Sequence, residues 1–72
     1  MNNLNVAKIQ LNGEAYEIIN GINLSELLNK LKIQRNKVAI EVNGEIIEKN
    51  NYPNLILNKD DKVEIVHFIG GG

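Results

Sequence analysis

Groups able to act as nucleophile, base or metal ligand are few in this 72-residue sequence. It holds one histidine, His67, one serine, Ser25, and no cysteine or threonine; the only other hydroxyls are those of Tyr16 and Tyr52. A Ser-His-Asp or Cys-His set needs nucleophile and base within hydrogen-bond reach. Ser25 falls in the first turn of a helical segment and His67 near the end of the last strand, so no such set is assembled. Asp60 and Asp61 are adjacent, yet a polar turn before a strand accounts for them better than an acid–base pair or a metal site. Gly13 and Gly21 lie in "NGEAYEIINGINL" without the spacing of a phosphate-cradling glycine loop. Taken alone, these residues do not describe an enzyme, and no bound cofactor or metal is expected.

The stretch "VEIVHFIGGG" offers a different reactive group. Glycine has no Cβ, so Gly70, Gly71 and Gly72 can pass through a slot too narrow for any side chain and reach about 10 Å beyond the last ordered residue. What they deliver is the Gly72 α-carboxylate, ionised at neutral pH with an ordinary pKa of about 3.3 to 3.7. A carboxylate can attack the α-phosphorus of ATP to give an acyl adenylate, which turns an inert anion into an acyl donor. Another protein would have to catalyse that step. Two plainer readings of the same glycines stand beside this one: a floppy end, and a flexible linker.

The strand ahead of the glycines sorts its side chains by the period of two. Val63, Ile65, His67 and Ile69 share one face and Glu64, Val66 and Phe68 the other. The first face fits a core through Val63 and Ile65, with His67 at its rim making an ordinary hydrogen bond. Val66 and Phe68 then point away from the core in a domain too small to cover them, and adjoin the tail, which marks a partner-docking surface. One or two exposed apolar residues are normal on any protein, so the adjacency to the tail is what favours docking.

The remaining elements must position that strand. "VAKIQLNGEAYEI" reads as a hairpin turning at Asn12-Gly13, with Leu11 opposite Glu14, Ile9 opposite Tyr16, Lys8 opposite Glu17 and Ala7 opposite Ile18. In that register Ala7, Ile9, Leu11, Tyr16 and Ile18 share a face. "INLSELLNKLKI" places Leu24, Leu27, Leu28 and Leu31 on one helical face, with Asn23 as N-cap, Glu26 completing a capping box and Ile22 stapling onto Leu27. The helix is expected to end near Lys32 or Ile33. "KVAIEV" is a third strand, Asn43-Gly44 a second turn and "EIIE" a short fourth strand. "KNNYPNLILNKDDK", with the only proline, is a crossing segment holding a single helical turn, pinned by Leu55 and Leu57.

This order of strand, strand, helix, strand, short strand, crossing segment and strand predicts an α+β fold. It is the order of the ubiquitin-like beta-grasp: a mixed four- to five-stranded sheet with one main helix packed across it, the last strand inside the sheet and parallel to the first. Residues 1–69 are expected to form this domain and residues 70–72 a flexible tail. A net charge of −1 and a pI near 5.7 argue against nucleic acid. No apolar run approaches the roughly 20 residues of a membrane span, and "MNNLNVAK" has no leader pattern, so a cytoplasmic protein is expected.

"NGEAYEI", "NLSELLNKL", "VAIEVNGEII" and "DDKVEIVHFIGGG" together closely resemble the ThiS family, the ubiquitin-like sulfur carrier proteins of thiamine biosynthesis, over nearly the whole chain. The resemblance implies that Gly72 is adenylated by an ATP-dependent, ubiquitin-activating-like enzyme. It implies further that the adenylate becomes a thiocarboxylate with sulfur from a cysteine desulfurase relay, and that the sulfur passes to thiazole synthase. Gly71 matches the other half of the family's Gly-Gly, and Gly70 is an additional glycine. Asp61-Lys62 departs from the Gly-Asp common before the last strand. The alternatives are a sulfur carrier for molybdopterin synthesis or another pathway, and a ubiquitin-like protein modifier or interaction module.

Overall fold

A computed structural model describes residues 5–69. The first hairpin forms in the expected register: β1 (Val6–Leu11) pairs antiparallel with β2 (Glu14–Ile19), Leu11 opposite Glu14 and Ala7 opposite Ile18. Asn12 at φ 50° and Gly13 at φ 85° give the two positive values a type I′ turn requires. Ile9 and Ile18 are buried, and Ala7, Leu11 and Tyr16 pack against the same core.

Helix α1 (Leu24–Leu31) starts at a complete capping box. Glu26 N–H donates to Asn23 Oδ1 at 2.8 Å, and Asn23 N–H donates to Glu26 Oε1 at 3.0 Å. Leu24, Leu27 and Leu28 turn inward and are buried. The helix closes at Lys32, whose φ of 60° is left-handed; Lys32 N–H donates to Asn29 O and Ile33 N–H to Leu28 O, a Schellman closure on a residue with a Cβ. A 3₁₀ turn (Arg35–Lys37) leads into β3 (Val38–Val42), which turns at Asn43-Gly44, φ 54° and 87°, into the two-residue β4 (Glu45–Ile46).

The crossing segment contains a 3₁₀ helix (Lys49–Asn54) with Pro53 inside it. It is tied to the start of α1 by Leu24 N–H to Leu55 O and Leu57 N–H to Ile22 O, both 2.9 Å. Leu57 is buried and Leu55 half-buried, as expected, while Tyr52, at 1 % exposure, is a core residue the sequence patterning does not single out. The turn before the last strand is made by Asp60 at φ 70°, with the Asp61 carboxylate accepting from Asn58 N–H and Asn43 Nδ2. Asp61 therefore caps this turn with its side chain.

β5 (Lys62–His67) lies at the centre of a five-stranded sheet of order β2-β1-β5-β3-β4, parallel to β1 and antiparallel to β3. This is the expected ubiquitin-like beta-grasp, its mixed sheet five-stranded. Its core is a single cluster from β1, β2, α1, β3, the second 3₁₀ helix and β5, including Ile9, Ile18, Leu24, Leu27, Val38, Ile40, Tyr52 and Val63. Each fully buried Leu or Ile contributes about 1.5–3 kcal/mol relative to an exposed one. No helix among the described residues is long and apolar enough to cross a membrane.

One expectation is corrected. The last strand, read as about seven residues running through Ile69, stops at His67, and Ile69, placed by alternation on the core face, is 98 % exposed. The cause is the length of the partner strand. β3 begins at Val38, opposite His67, and only one further bond, Phe68 N–H to Lys37 O at 2.9 Å, follows it.

Candidate functional site

β5 is held from both sides before the chain reaches its glycines. On the β1 side, Asn12 reaches across from the first turn: Ile65 N–H donates to Asn12 Oδ1 at 2.7 Å, and Asn12 Nδ2 donates to Ile65 O at 3.3 Å. The backbone of that turn adds Asn12 N–H to Val63 O at 2.9 Å. On the β3 side, Asn43 of the second turn does the same at the start of the strand, accepting from Lys62 N–H at 2.9 Å through Oδ1 and donating its own N–H to Lys62 O at 2.7 Å. The paired ladder from Val42–Val63 to Val38–His67 completes the frame. β1 leaves the sheet at Leu11, opposite Val63, so without Asn12 the backbone of Ile65 would face no partner on that side.

The two residues expected to dock a partner lie where alternation puts them. Val66 is 59 % and Phe68 57 % exposed, on the face opposite α1. Val66 stands opposite Ala39, and Glu41 of the same face stands between Glu64 on β5 and Ile46 on β4, itself 74 % exposed. Phe68 is oriented without being buried: Lys49 Nζ donates to Val38 O at 3.1 Å and sits 5.6 Å from the centre of the Phe68 ring. A cation over an aromatic face at such an exposed site contributes about 0.5–1 kcal/mol. A 3₁₀ residue thus fixes the aromatic at the mouth of the tail, a contact with no signature in the sequence because residues 49 and 68 lie on unrelated segments. Gly70, Gly71 and Gly72 lie outside the described residues.

The groups set aside on sequence grounds are not gathered by the fold. His67 is exposed at the rim opposite Val38, and Ser25 sits in the first turn of α1. A depression of about 820 Å³, open to solvent, runs between the end of α1 and the first 3₁₀ turn. Ser25, Asn29, Lys32 and Arg35 line it, and no histidine or carboxylate joins them. Among the described residues no three His, Cys, Asp or Glu side chains are grouped as metal ligands. Burial pushes the Tyr52 phenol above its ordinary value of 10.0.

A central strand held by two Asn-Gly turns thus runs toward the glycines, and comparison with known proteins places the chain in a family. The model of the ThiS family matches residues 9–72. The chain belongs to the ThiS family. Within that family, it is 41 % identical over 49 residues to the sulfur carrier protein ThiS of Bacillus subtilis, covering 68 % of this chain and 74 % of that one. The crystal structure of the thiamine biosynthesis protein ThiS from Geobacter metallireducens superposes with a TM-score of 0.79 at 32 % identity, covering 90 % of this chain and 99 % of that one. The ThiS-family sequence is also 43 % identical over 65 residues, 90 % of its length, to a segment of the thiazole synthase of Magnetococcus marinus, of which it spans 20 %.

Proposed function

We propose that this ThiS-family chain is a sulfur carrier for thiamine biosynthesis, not itself an enzyme, with the Gly72 carboxylate as its working group. The observation that carries the reading is the family match running through the terminal glycines, on a fold whose central strand leads into them. On this reading the carboxylate attacks the α-phosphorus of ATP on an adenylating enzyme, and pyrophosphate leaves. The terminal sulfur of a persulfide, supplied by a cysteine desulfurase relay, then attacks the acyl carbon, and AMP leaves. A second thiol releases the thiocarboxylate, itself ending in a disulfide.

Thiazole synthase is the acceptor on this reading, supported by the likeness of the chain to part of a thiazole synthase. Gly70 and Gly71 thread the partner's slot, where a Cβ would collide, and Val66 and Phe68 dock against its surface. Neither cofactor nor metal resides in the carrier; ATP belongs to the activating enzyme. The cytoplasm is the compartment in which these reactions would meet.

The test separates the tail from the fold. A chain lacking Gly71 and Gly72 is expected to melt as the full chain does and to give no ATP–pyrophosphate exchange with the adenylating enzyme. Phe68→Ala is expected to weaken docking to that enzyme while costing less than about 1 kcal/mol of stability, since only a buried phenylalanine costs about 3–5 kcal/mol. Undiminished exchange without the two glycines would overturn the reading.

A further inference from the structure

The face of the sheet that carries Val66 and Phe68 holds two carboxylates in opposition. Glu41 and Glu64 pair directly across β3 and β5, and both are exposed. The ladder on either side fixes what kind of pair this is. Asn43 N–H donates to Lys62 O and Phe68 N–H donates to Lys37 O, each to the residue opposite it, so alternate pairs along this ladder are hydrogen-bonded ones. Glu41–Glu64 falls in that set, with Cα atoms about 5.5 Å apart and side chains parallel on one face. Like charges directly opposite destabilise a sheet.

The in-register neighbours of the pair do little to neutralise it. Glu41 has Ala39 and Asn43 along its strand and Ile46 across β4, while Glu64 has Val66 and Lys62 along its own. Lys62 is the single basic residue among them. Lys49 is committed to the Val38 carbonyl and the Phe68 ring, and Lys8, on the same face of β1, stands opposite Glu17. Two exposed carboxylates therefore face each other with Asn43 and Lys62 toward one end of the strands and the apolar Ile46, Val66 and Phe68 around the rest. No third carboxylate, histidine or cysteine joins them to make a metal site among the described residues.

We infer that this face receives a protein partner through an arginine, whose guanidinium bridges Glu41 and Glu64 while apolar side chains around it cover Ile46, Val66 and Phe68. The planar fork of a guanidinium offers donors to two carboxylates at once, which a lysine ammonium matches less well. Its weak hydration also lets it enter an apolar surround. The repulsion in the free chain is released on docking, so the pair favours the complex over the free state and makes docking salt-dependent.

The choice of probe rests on the carrier reading: purified thiazole synthase is titrated with the full chain. Glu41→Gln/Glu64→Gln keeps the shape of both side chains, and it is expected to bind at least tenfold more weakly, to lose most of the salt dependence of binding, and to melt no lower than the parent. Glu17→Gln, a charge removed on the outer hairpin, is expected to bind as the parent does. Equal binding by the double variant, or no binding by the parent, overturns the inference. ATP-dependent thiolation of the parent is measured alongside. Thiolation with unchanged binding of the double variant sinks the arginine contact and keeps the carrier, whereas weakened binding without thiolation does the reverse.

Discussion

Tyr52 is the residue whose burial is least expected. It sits beside the only proline, in a run of asparagines and lysines with no apolar periodicity, and nothing in that run marks it as core. The 3₁₀ helix turns its ring inward to 1 % exposure, and its hydroxyl has no hydrogen-bond partner among the described residues. A buried hydroxyl left unpaired costs about 1–3 kcal/mol, so Tyr52→Phe is expected to stabilise the fold by about 1 kcal/mol. In a domain of this size that raises the melting temperature by about 4–8 °C. The pH dependence has a definite sign. Burial raises the Tyr52 pKa in the folded chain above its ordinary 10.0, so the folded state holds the phenol proton more tightly than the unfolded one. That contribution is intact below pH 10.0 and is lost as the pH climbs from there toward the folded-state pKa. Tyr52→Phe should flatten this alkaline loss, as thermal melts across that range would read; a variant less stable than the parent would mean that the hydroxyl is bonded.

At the scale of elements, the two Asn-Gly turns were legible as turns and illegible as clamps. The dipeptide demands positive φ at both positions, which local chemistry alone predicts, and the hairpin register follows from the alternation of Ala7, Ile9 and Leu11 against Tyr16 and Ile18. That Asn12 also bonds both backbone groups of Ile65, 53 residues away, depends on the tertiary arrangement and leaves no mark on the sequence. Asn12→Ala loses both bonds and strains the turn, with an expected cost of about 1–3 kcal/mol. Asn12→Gly keeps the backbone conformation and isolates the side-chain bonds at the lower end of that range. Denaturant unfolding of both variants reads the difference; a cost below the resolution of such curves for both would show that the clamp does not hold β5. The extent of β5 was over-read at its C-terminal end for a related reason. "VEIVHFI" is apolar throughout, and only the start of β3 at Val38, opposite His67, decides where pairing stops.

For the whole molecule, topology and family agree. Each element carried its own signal: two turn dipeptides, one capped helix, one alternating strand before the glycines. The beta-grasp order followed from placing them in sequence, with β5 central and parallel to β1. The docking face was legible in part. Val66 and Phe68 followed from alternation, while Ile46 and the Glu41–Glu64 opposition required the register of β3 against both its neighbours. The chain has no thiol, which is compatible with the proposal that its sulfur is carried on the Gly72 carboxylate. The most direct measurement is the intact mass of the protein after incubation with ATP, the adenylating enzyme and a persulfide source. Exchange of one oxygen for one sulfur, located to Gly72 by fragmentation and dependent on ATP, is the predicted result. An unchanged mass, or sulfur bound anywhere but Gly72, would contradict the account.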